Sequence, residues 1–384
     1  MRLAIIGAVL LAAGGVALAT GTLPLADAAL LAERVLPILG FVVAATVVAE
    51  LSAEAGVFSI IAERLARLGR GRTWVLWLLV VVLCVASTVF LSLDTTAVLL
   101  TPVVVFVARH HGFSPIPFAL TTVWLANTAS LLLPVSNLTN LLAAHRLGDP
   151  GPGEFAALMV APAVVAVLVP VVILAVVYRR RLSTRYVMTP ADPPRDPVLF
   201  WICCATLAVL LPLLVSGIPV WMPATGAAVV LVVAFLVRDR RTLNIRLLPG
   251  SLVVFALGLF LAVETAHAIG LTAPLEAVAG SGSTLPDLLR LAASGAVGAN
   301  AIDNLPAYLA LEPHAGSPER IAALLIGVNA GPLITPWASL ATLLWHARLN
   351  SMGVEISWRR YALLGLVAAP LTVVLATVAL AAAV

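Results

Sequence analysis

Apolar residues run along this chain in long stretches, separated by short polar segments rather than alternating with them. A helical span needs about 20 consecutive apolar residues, so the pattern predicts an all-α polytopic membrane protein. A first span covers residues 3–20 and a second 33–51. From 53 to 68 the period changes. Val57, Ile60, Ile61 and Leu65 fall on one side and Glu63, Arg64 and Arg67 on the other, the pattern of an amphipathic helix lying at the membrane surface. Trp74 to Ala108 is apolar except near Ser92 and Asp94 and reads as a hairpin over about 74–109 with its tip near Asp94. A broken helix over about 116–147 follows, then a span at 154–178. The loop 179–196 is polar and rich in proline (Pro190, Pro193, Pro194). Spans at about 197–215, 220–237 and 247–266 lead to a surface segment at 267–282. A second hairpin at about 284–313, with its tip near Asp303, a second broken helix at about 318–348 and a last span at 360–384 complete the path.

The two halves share features in the same order. Leu36-Pro37 and Leu248-Pro249 each open a long span. Glu50 and Glu264 stand near the ends of those spans, each followed six residues later by a glycine, Gly56 and Gly270. A hairpin with Asp at its tip comes next in both. Then comes Asn-x6-Pro-x3-Leu: Asn127, Pro134 and Leu138 in one half, Asn329, Pro336 and Leu340 in the other. The expected organisation is a first transmembrane span over 1–32 and a first repeat over 33–178. A linker with connecting spans over 179–246 precedes a second repeat over 247–384. Each repeat holds an odd number of crossings, so the second copy is inverted, as in many secondary transporters.

Composition adds orientation. The chain has 384 residues, 62% hydrophobic and 10% charged, with a mean hydropathy of +1.11. That excludes a single water-soluble domain, which is about 25% charged. The unbroken apolar runs exclude an outer-membrane barrel. All 22 basic residues are Arg, in clusters at Arg64/Arg67/Arg70/Arg72, Arg179/Arg180/Arg181/Arg185/Arg195, Arg238/Arg240/Arg241/Arg246 and Arg359/Arg360. Basic residues concentrate on the cytoplasmic side. One path puts every cluster there, leaves only Arg34, Arg146, Arg290 and Arg320 outside, and makes the N-terminus cytoplasmic in the cell inner membrane. Met1-Arg2 with Ala17-Leu18-Ala19 has the form of a cleavable leader as well as of an uncleaved span. In a polytopic chain the span is the expected reading. The excess charge sets orientation and gives no reason to expect nucleic acid. Cys84, Cys203 and Cys204 lie in apolar runs and read as core thiols. No metal site or cofactor is expected.

The chemistry sits in the polar remainder. Backbone left unpaired in hydrocarbon is costly, so helix breaks persist where they are buried in protein or line a wet cavity. One break runs from Asn127 through Ser130, Pro134, Ser136 and Asn137 to Asn140. The other runs from Asn329 through Gly331, Pro332 and Thr335 to Pro336, ending in Ser339 and Thr342. The tips are Ser92-Leu93-Asp94-Thr95-Thr96 and Asn300-Ala301-Ile302-Asp303-Asn304. A carboxylate at mid-membrane costs about 2.5–3.5 kcal/mol or more. Two readings of these residues coexist. Asp94 would cap a helix starting at Thr95, and Asp303 or Asn304 the turn before Pro306. They would equally serve as proton or substrate groups. Glu50 and Glu264 read as side chains reaching toward the surface. No Arg falls at a tip or a break.

The stretches Leu91 to Pro102, Asn127 to Asn140, and Gly331-Pro332-Leu333-Ile334-Thr335-Pro336 with Ser339 to Trp345 resemble the arsenite permease family of the ion transporter superfamily. The likeness extends over nearly the whole chain, from about residue 30 to 384. It implies a scaffold and a transport domain with two re-entrant hairpins. It also implies export of arsenite or antimonite against protons, sometimes with a soluble ATPase subunit. A homodimer is a further expectation. Arsenite at neutral pH is mostly an uncharged trihydroxide, which suits Asn, Ser and Thr without Arg. The related divalent-anion:sodium symporters carry Ser-Asn-Thr at each tip. Here the tips read Leu93-Asp94-Thr95 and Ile302-Asp303-Asn304, and the extra carboxyls would repel a dicarboxylate. The substrate and ion residues expected are Asp94, Thr95, Thr96, Asn127, Ser130, Ser136, Asn137, Asn140, Asn300, Asp303, Asn304, Asn329, Gly331 and Thr335. A sodium- or proton-coupled carboxylate symporter is the alternative. A membrane enzyme is a third class, and it lacks a nucleophile or metal constellation.

Overall fold

A computed structural model describes residues 2–187, 196–244, 247–271 and 274–384. Pro190, Pro193, Pro194, Arg195 and Arg246 lie outside them. The described chain is helical, without strands apart from one isolated bridge between Arg72 and Arg185. In chain order the first half holds α1 (Arg2–Ala19), α2 (Leu25–Glu54), α3 (Val57–Leu68) and α4 (Thr73–Leu91). Then come α5 (Leu93–Thr95), a π-helical turn (Thr96–Leu100), α6 (Thr101–His110), α7 (Ile116–Thr128), α8 (Leu138–Arg146) and α9 (Pro152–Leu182). After α10 (Pro197–Leu214) and α11 (Trp221–Arg238), the second half holds α12 (Gly250–Ala268), α13 (Pro274–Ala279), α14 (Leu285–Ile302) and α15 (Asn304–Leu311). It closes with α16 (Pro318–Ala330), α17 (Leu340–Ser351) and α18 (Trp358–Ala383). Among the described residues, eight helical stretches are long and apolar enough to cross a membrane.

Burial sorts these helices into a centre and a rim. In α7 every residue from Pro117 to Thr128 is buried, and in α16 every residue from Arg320 to Ala330. A helix apolar all round belongs in the interior of a larger assembly. α7 packs on α4 and α9, and α16 on α14 and α18. On the rim, Val160, Val164, Leu168, Val172 and Val176 of α9 are exposed at a spacing of four, one face of a helix turned to lipid. α1 lies along α12, and its Gly7 and Gly14 permit that approach. A Cβ on Gly14 would fall 2.6 Å from Leu261 Cβ, and one on Gly258 would strike the Gly7 carbonyl. Small residues at such crossings let membrane helices associate through close packing.

Helix ends follow local chemistry. Proline occupies the first turn of α9, α10 and α16, where its missing N–H is not needed. Asp196 caps α10 by accepting from Val198 N at 2.9 Å and Leu199 N at 3.2 Å. Arg238 Nε donates to its other oxygen at 2.8 Å, tying α10 to the end of α11 and holding this carboxyl below the ordinary range.

The same backbone geometry recurs at matching points of the two halves. Gly56 and Gly270 are both left-handed, at φ 82° and 74°. Ser92 and Asp303 share a rare conformation, φ 108° ψ 161° and φ 106° ψ 153°. Asn137 and Ser339 cap α8 and α17 from φ −154° ψ 147° and φ −151° ψ 151°. α7 and α16 each have 13 residues.

Candidate functional site

The first hairpin turns at Ser92, not at Asp94. Ser92 Oγ accepts from Thr95 N at 3.4 Å and donates to Thr95 Oγ1 at 3.1 Å, so serine is the cap. Of the two readings of Asp94, the capping one is therefore corrected. The carboxyl stands one residue inside the helix, and its Oδ1 is buried without a hydrogen-bond partner among the described residues. Thr96 is held in place: Thr88 Oγ1 donates to it at 3.0 Å, and it donates to Ser87 Oγ at 2.9 Å.

The second hairpin turns at Asp303, whose Oδ1 accepts from Leu305 N at 3.1 Å. Asp303 thus fills the place of Ser92, and Leu305 the place of Asp94. The two carboxyls are not positional equivalents. Asn304 follows, buried at the start of α15. Asn300, one turn before the tip, braces the second break. Its Nδ2 donates to Gly331 O at 2.8 Å, and its Oδ1 accepts from Ile334 N at 3.2 Å and Thr335 N at 3.1 Å. Thr335 Oγ1 and Trp337 Nε1 donate to the Asn300 carbonyl at 2.8 and 2.9 Å. The amides freed by Pro332 and Pro336 are answered by one side chain.

The two breaks meet in a sealed polar network. Asn329 Oδ1 accepts from Asn137 Nδ2 and Thr139 Oγ1, both at 2.9 Å. Asn329 Nδ2 donates to Asn140 Oδ1 at 2.8 Å. Asn140 Nδ2 donates to Ser130 O at 2.6 Å and Leu133 O at 3.0 Å. Ser130 Oγ donates to Asn127 O at 2.7 Å, and Ser136 Oγ to Val89 O at 2.9 Å. Thr139 belongs to this network, and the sequence reading missed it. Asn-x-Thr-x-x at a break was the available signal.

Asn127 and Asn329 occupy the same place, the next-to-last residue of α7 and of α16, yet their amides differ. Asn329 is fully engaged. Asn127 Nδ2 donates to Val123 O at 2.9 Å and Thr342 Oγ1 at 3.5 Å, while its Oδ1 is buried and accepts nothing among the described residues. The Thr128 hydroxyl is also unpartnered. α5, which carries Asp94, packs against both α7 and α17. The structure therefore divides the expected residues. Asn137, Asn140 and Asn329 lock the breaks together, Asn300, Gly331 and Thr335 form the second node, and Asp94 and Asn127 keep acceptor oxygens free.

Two adjoining cavities approach Asp94. The inner one, about 250 Å³, is lined by Asp94, Thr95, Thr46, Ser251, Glu50 and Arg348, among others. The outer vestibule, about 610 Å³, shares Glu50, Val98, Leu99 and Arg348 with it and adds Glu54, Glu63 and His110. The vestibule lies at the turn between α2 and α3, the end that carries Arg64 and Arg67. At the opposite end Arg34 Nη2 pairs with Glu312 and donates to Leu142 O at 3.1 Å, joining α2, α8 and the end of the second hairpin.

Buried helix breaks, two hairpins with polar tips and a cavity that reaches one of them belong to proteins that pass solutes across a bilayer. This is a membrane transporter, not an enzyme. The citrate transporter family matches residues 2–342. The arsenical pump membrane protein of Escherichia coli (strain K12) is 32% identical over 358 residues, covering 85% of this chain and 81% of that protein. That of Yersinia enterocolitica is 33% identical over 360 residues, with the same two shares. The chain belongs to this family of arsenical pump membrane proteins. The crystal structure of the Alcanivorax borkumensis YdaH transporter, described as having an unusual topology, aligns with a TM-score of 0.59 at 17% identity. It covers 90% of this chain and 85% of that one. That likeness concerns the fold.

Proposed function

We propose that the protein exports arsenite or antimonite, as uncharged trihydroxides, in exchange for protons, by alternating access between two inverted repeats. The observation that carries this is the pair of buried acceptor oxygens without donors, Asp94 Oδ1 and Asn127 Oδ1. A buried acceptor left unpaired costs about 1–3 kcal/mol, so a ligand that supplies hydrogen-bond donors is favoured there. A trihydroxide offers three hydroxyls, and a proton on Asp94 offers one. An ionised carboxylate offers none. Electrostatics point the same way, because no Arg lies at the tips or breaks, and the Arg348 that lines the cavity reaching Asp94 shares it with Glu50. The names of the relatives support the arsenical substrate. The Arg-rich end, and with it the vestibule and the N-terminus, is read as cytoplasmic.

The test is arsenite accumulation by everted membrane vesicles with and without an imposed pH gradient. Accumulation that collapses when the gradient is removed supports the reading. The match to the citrate transporter family favours a second reading, a sodium- or proton-coupled carboxylate symporter. Sodium-dependent uptake of labelled succinate or citrate, with no arsenite flux, would overturn the first reading in favour of the second.

A further inference from the structure

Asp94 is approached past two opposite charges. Glu50 and Arg348 line both the inner cavity and the vestibule, so each lies on the wall the two spaces share. Among the described residues, Arg348 is the one cation lining the inner cavity, and Glu50 the one acid besides Asp94. Arg348 and Glu54 are the charged groups that act on Glu50. Arg348 makes no direct ion pair among the described residues, and its charge reaches Glu50 without contact. Glu54 and Glu63 lie further out in the vestibule, with His110.

A guanidinium on the wall of a partly enclosed cavity is a receptor for carboxylates. It is permanently charged, and its planar donors match the two oxygens of the anion. In this chain a carboxyl group shares the wall with it. We propose that Glu50 sets the charge selectivity of the route to Asp94, by occupying the field of Arg348 so that carboxylate anions gain no foothold while uncharged hydroxylated solutes pass. The idea rests on the export reading for its biological sense but not for its test. This chain carries a cation here and sets a carboxyl beside it. Inward of the wall an anion meets Asp94, and outward it meets Glu54 and Glu63, so among the described residues Arg348 is the one permanently charged cation lining its path.

The prediction is that removing the carboxylate converts the wall into an anion site. Val98 lines both cavities, so Val98→Cys, in full-length protein with Cys84, Cys203 and Cys204 replaced by Ala, reports the local potential. Its labelling rates with the anionic sulfonatoethyl and the cationic trimethylammonioethyl methanethiosulfonates give a ratio that depends on charge and not on transport. Glu50→Gln should move the ratio at least tenfold toward the anionic reagent, and Arg348→Gln at least tenfold toward the cationic one. Glu50→Asp, which keeps the charge, should leave it within twofold. In proteoliposomes Glu50→Gln should also acquire labelled succinate uptake that the parent lacks. A ratio unchanged by both Glu50→Gln and Arg348→Gln in folded protein overturns the proposal. A shifted ratio in a protein that moves no arsenite leaves the selectivity standing and removes the export reading.

Discussion

At the scale of single residues, the site turns on which polar groups the fold has already satisfied. Asp303 caps a helix, whereas Asp94 has Ser92 beside it doing that work. Asp94→Asn should therefore abolish proton-coupled arsenite transport, by tenfold or more in vesicles, while leaving the detergent melting profile close to the parent's. Full proton-coupled efflux in that variant would remove Asp94 from the mechanism. Asn127 and Asn329 make a matched pair for the same logic. Asn329→Ala strands Asn137, Thr139 and Asn140 in a dry interior and should destabilise the protein by about 1–3 kcal/mol. Asn127→Ala removes a free acceptor and should weaken apparent arsenite affinity with little effect on unfolding. Equal loss of stability in both would contradict this division. The sequence marked these side chains as polar groups at helix breaks but not how they divide. Asn-x6-Pro looks the same in both halves, and only the partners, 190 or so positions away, distinguish a lock from an open acceptor.

At the scale of elements, the breaks were legible because proline and glycine in an apolar run have few other uses. The hairpin tips were less so. An Asp in each apolar stretch drew attention to Asp94 and Asp303 as equivalents, but the backbone pairs Ser92 with Asp303, a two-residue offset that composition does not reveal. Two long helices also run several residues beyond the apolar stretches, α2 from Leu25 rather than 33 and α9 to Leu182 rather than 178, because capping and turns set the ends rather than hydropathy. The second break depends on a close crossing. A Cβ on Gly365 of α18 would strike the carbonyl of Leu333. Gly365→Ala forces backbone against backbone where no flexible side chain can yield. It should cost about 1–3 kcal/mol, the usual penalty of overpacking, and lower transport as well, since Leu333 lies in the break that Asn300 braces. An unfolding measurement in detergent checks the first effect and vesicle efflux the second. By contrast Gly40→Ala, where a Cβ meets open space, should change neither.

At the scale of the whole molecule, the two ends are built differently. At one, the vestibule and the inner cavity reach Asp94. At the other, Arg34 pairs with Glu312 and reaches the Leu142 carbonyl, holding α2, α8 and the second hairpin together beside a cavity of about 440 Å³. The helical class and the approximate positions of the spans were visible in hydropathy. This tie was not, because its partners are 278 positions apart and each alone reads as a surface charge. Alternating access requires that the tie break when the other end closes. Its strength matters, since a ligand shifts a two-state equilibrium only by its differential affinity for the two states. Glu312→Gln weakens the tie and should speed labelling of a cysteine placed at Val135, which lines the cavity beside Arg34, in a background free of other thiols. Arg34→Cys with Glu312→Cys, linked as mixed disulfides through a short bis-methanethiosulfonate that spans the length of the lost side chains, should hold that end shut. Arsenite transport should then stop and return on reduction, while the charge selectivity at Val98 stays as in the reduced protein, because the vestibule end is untouched. Transport that continues through the cross-linked protein would mean that this end never opens during the cycle, and rocking of the second hairpin against α2 would have to be abandoned.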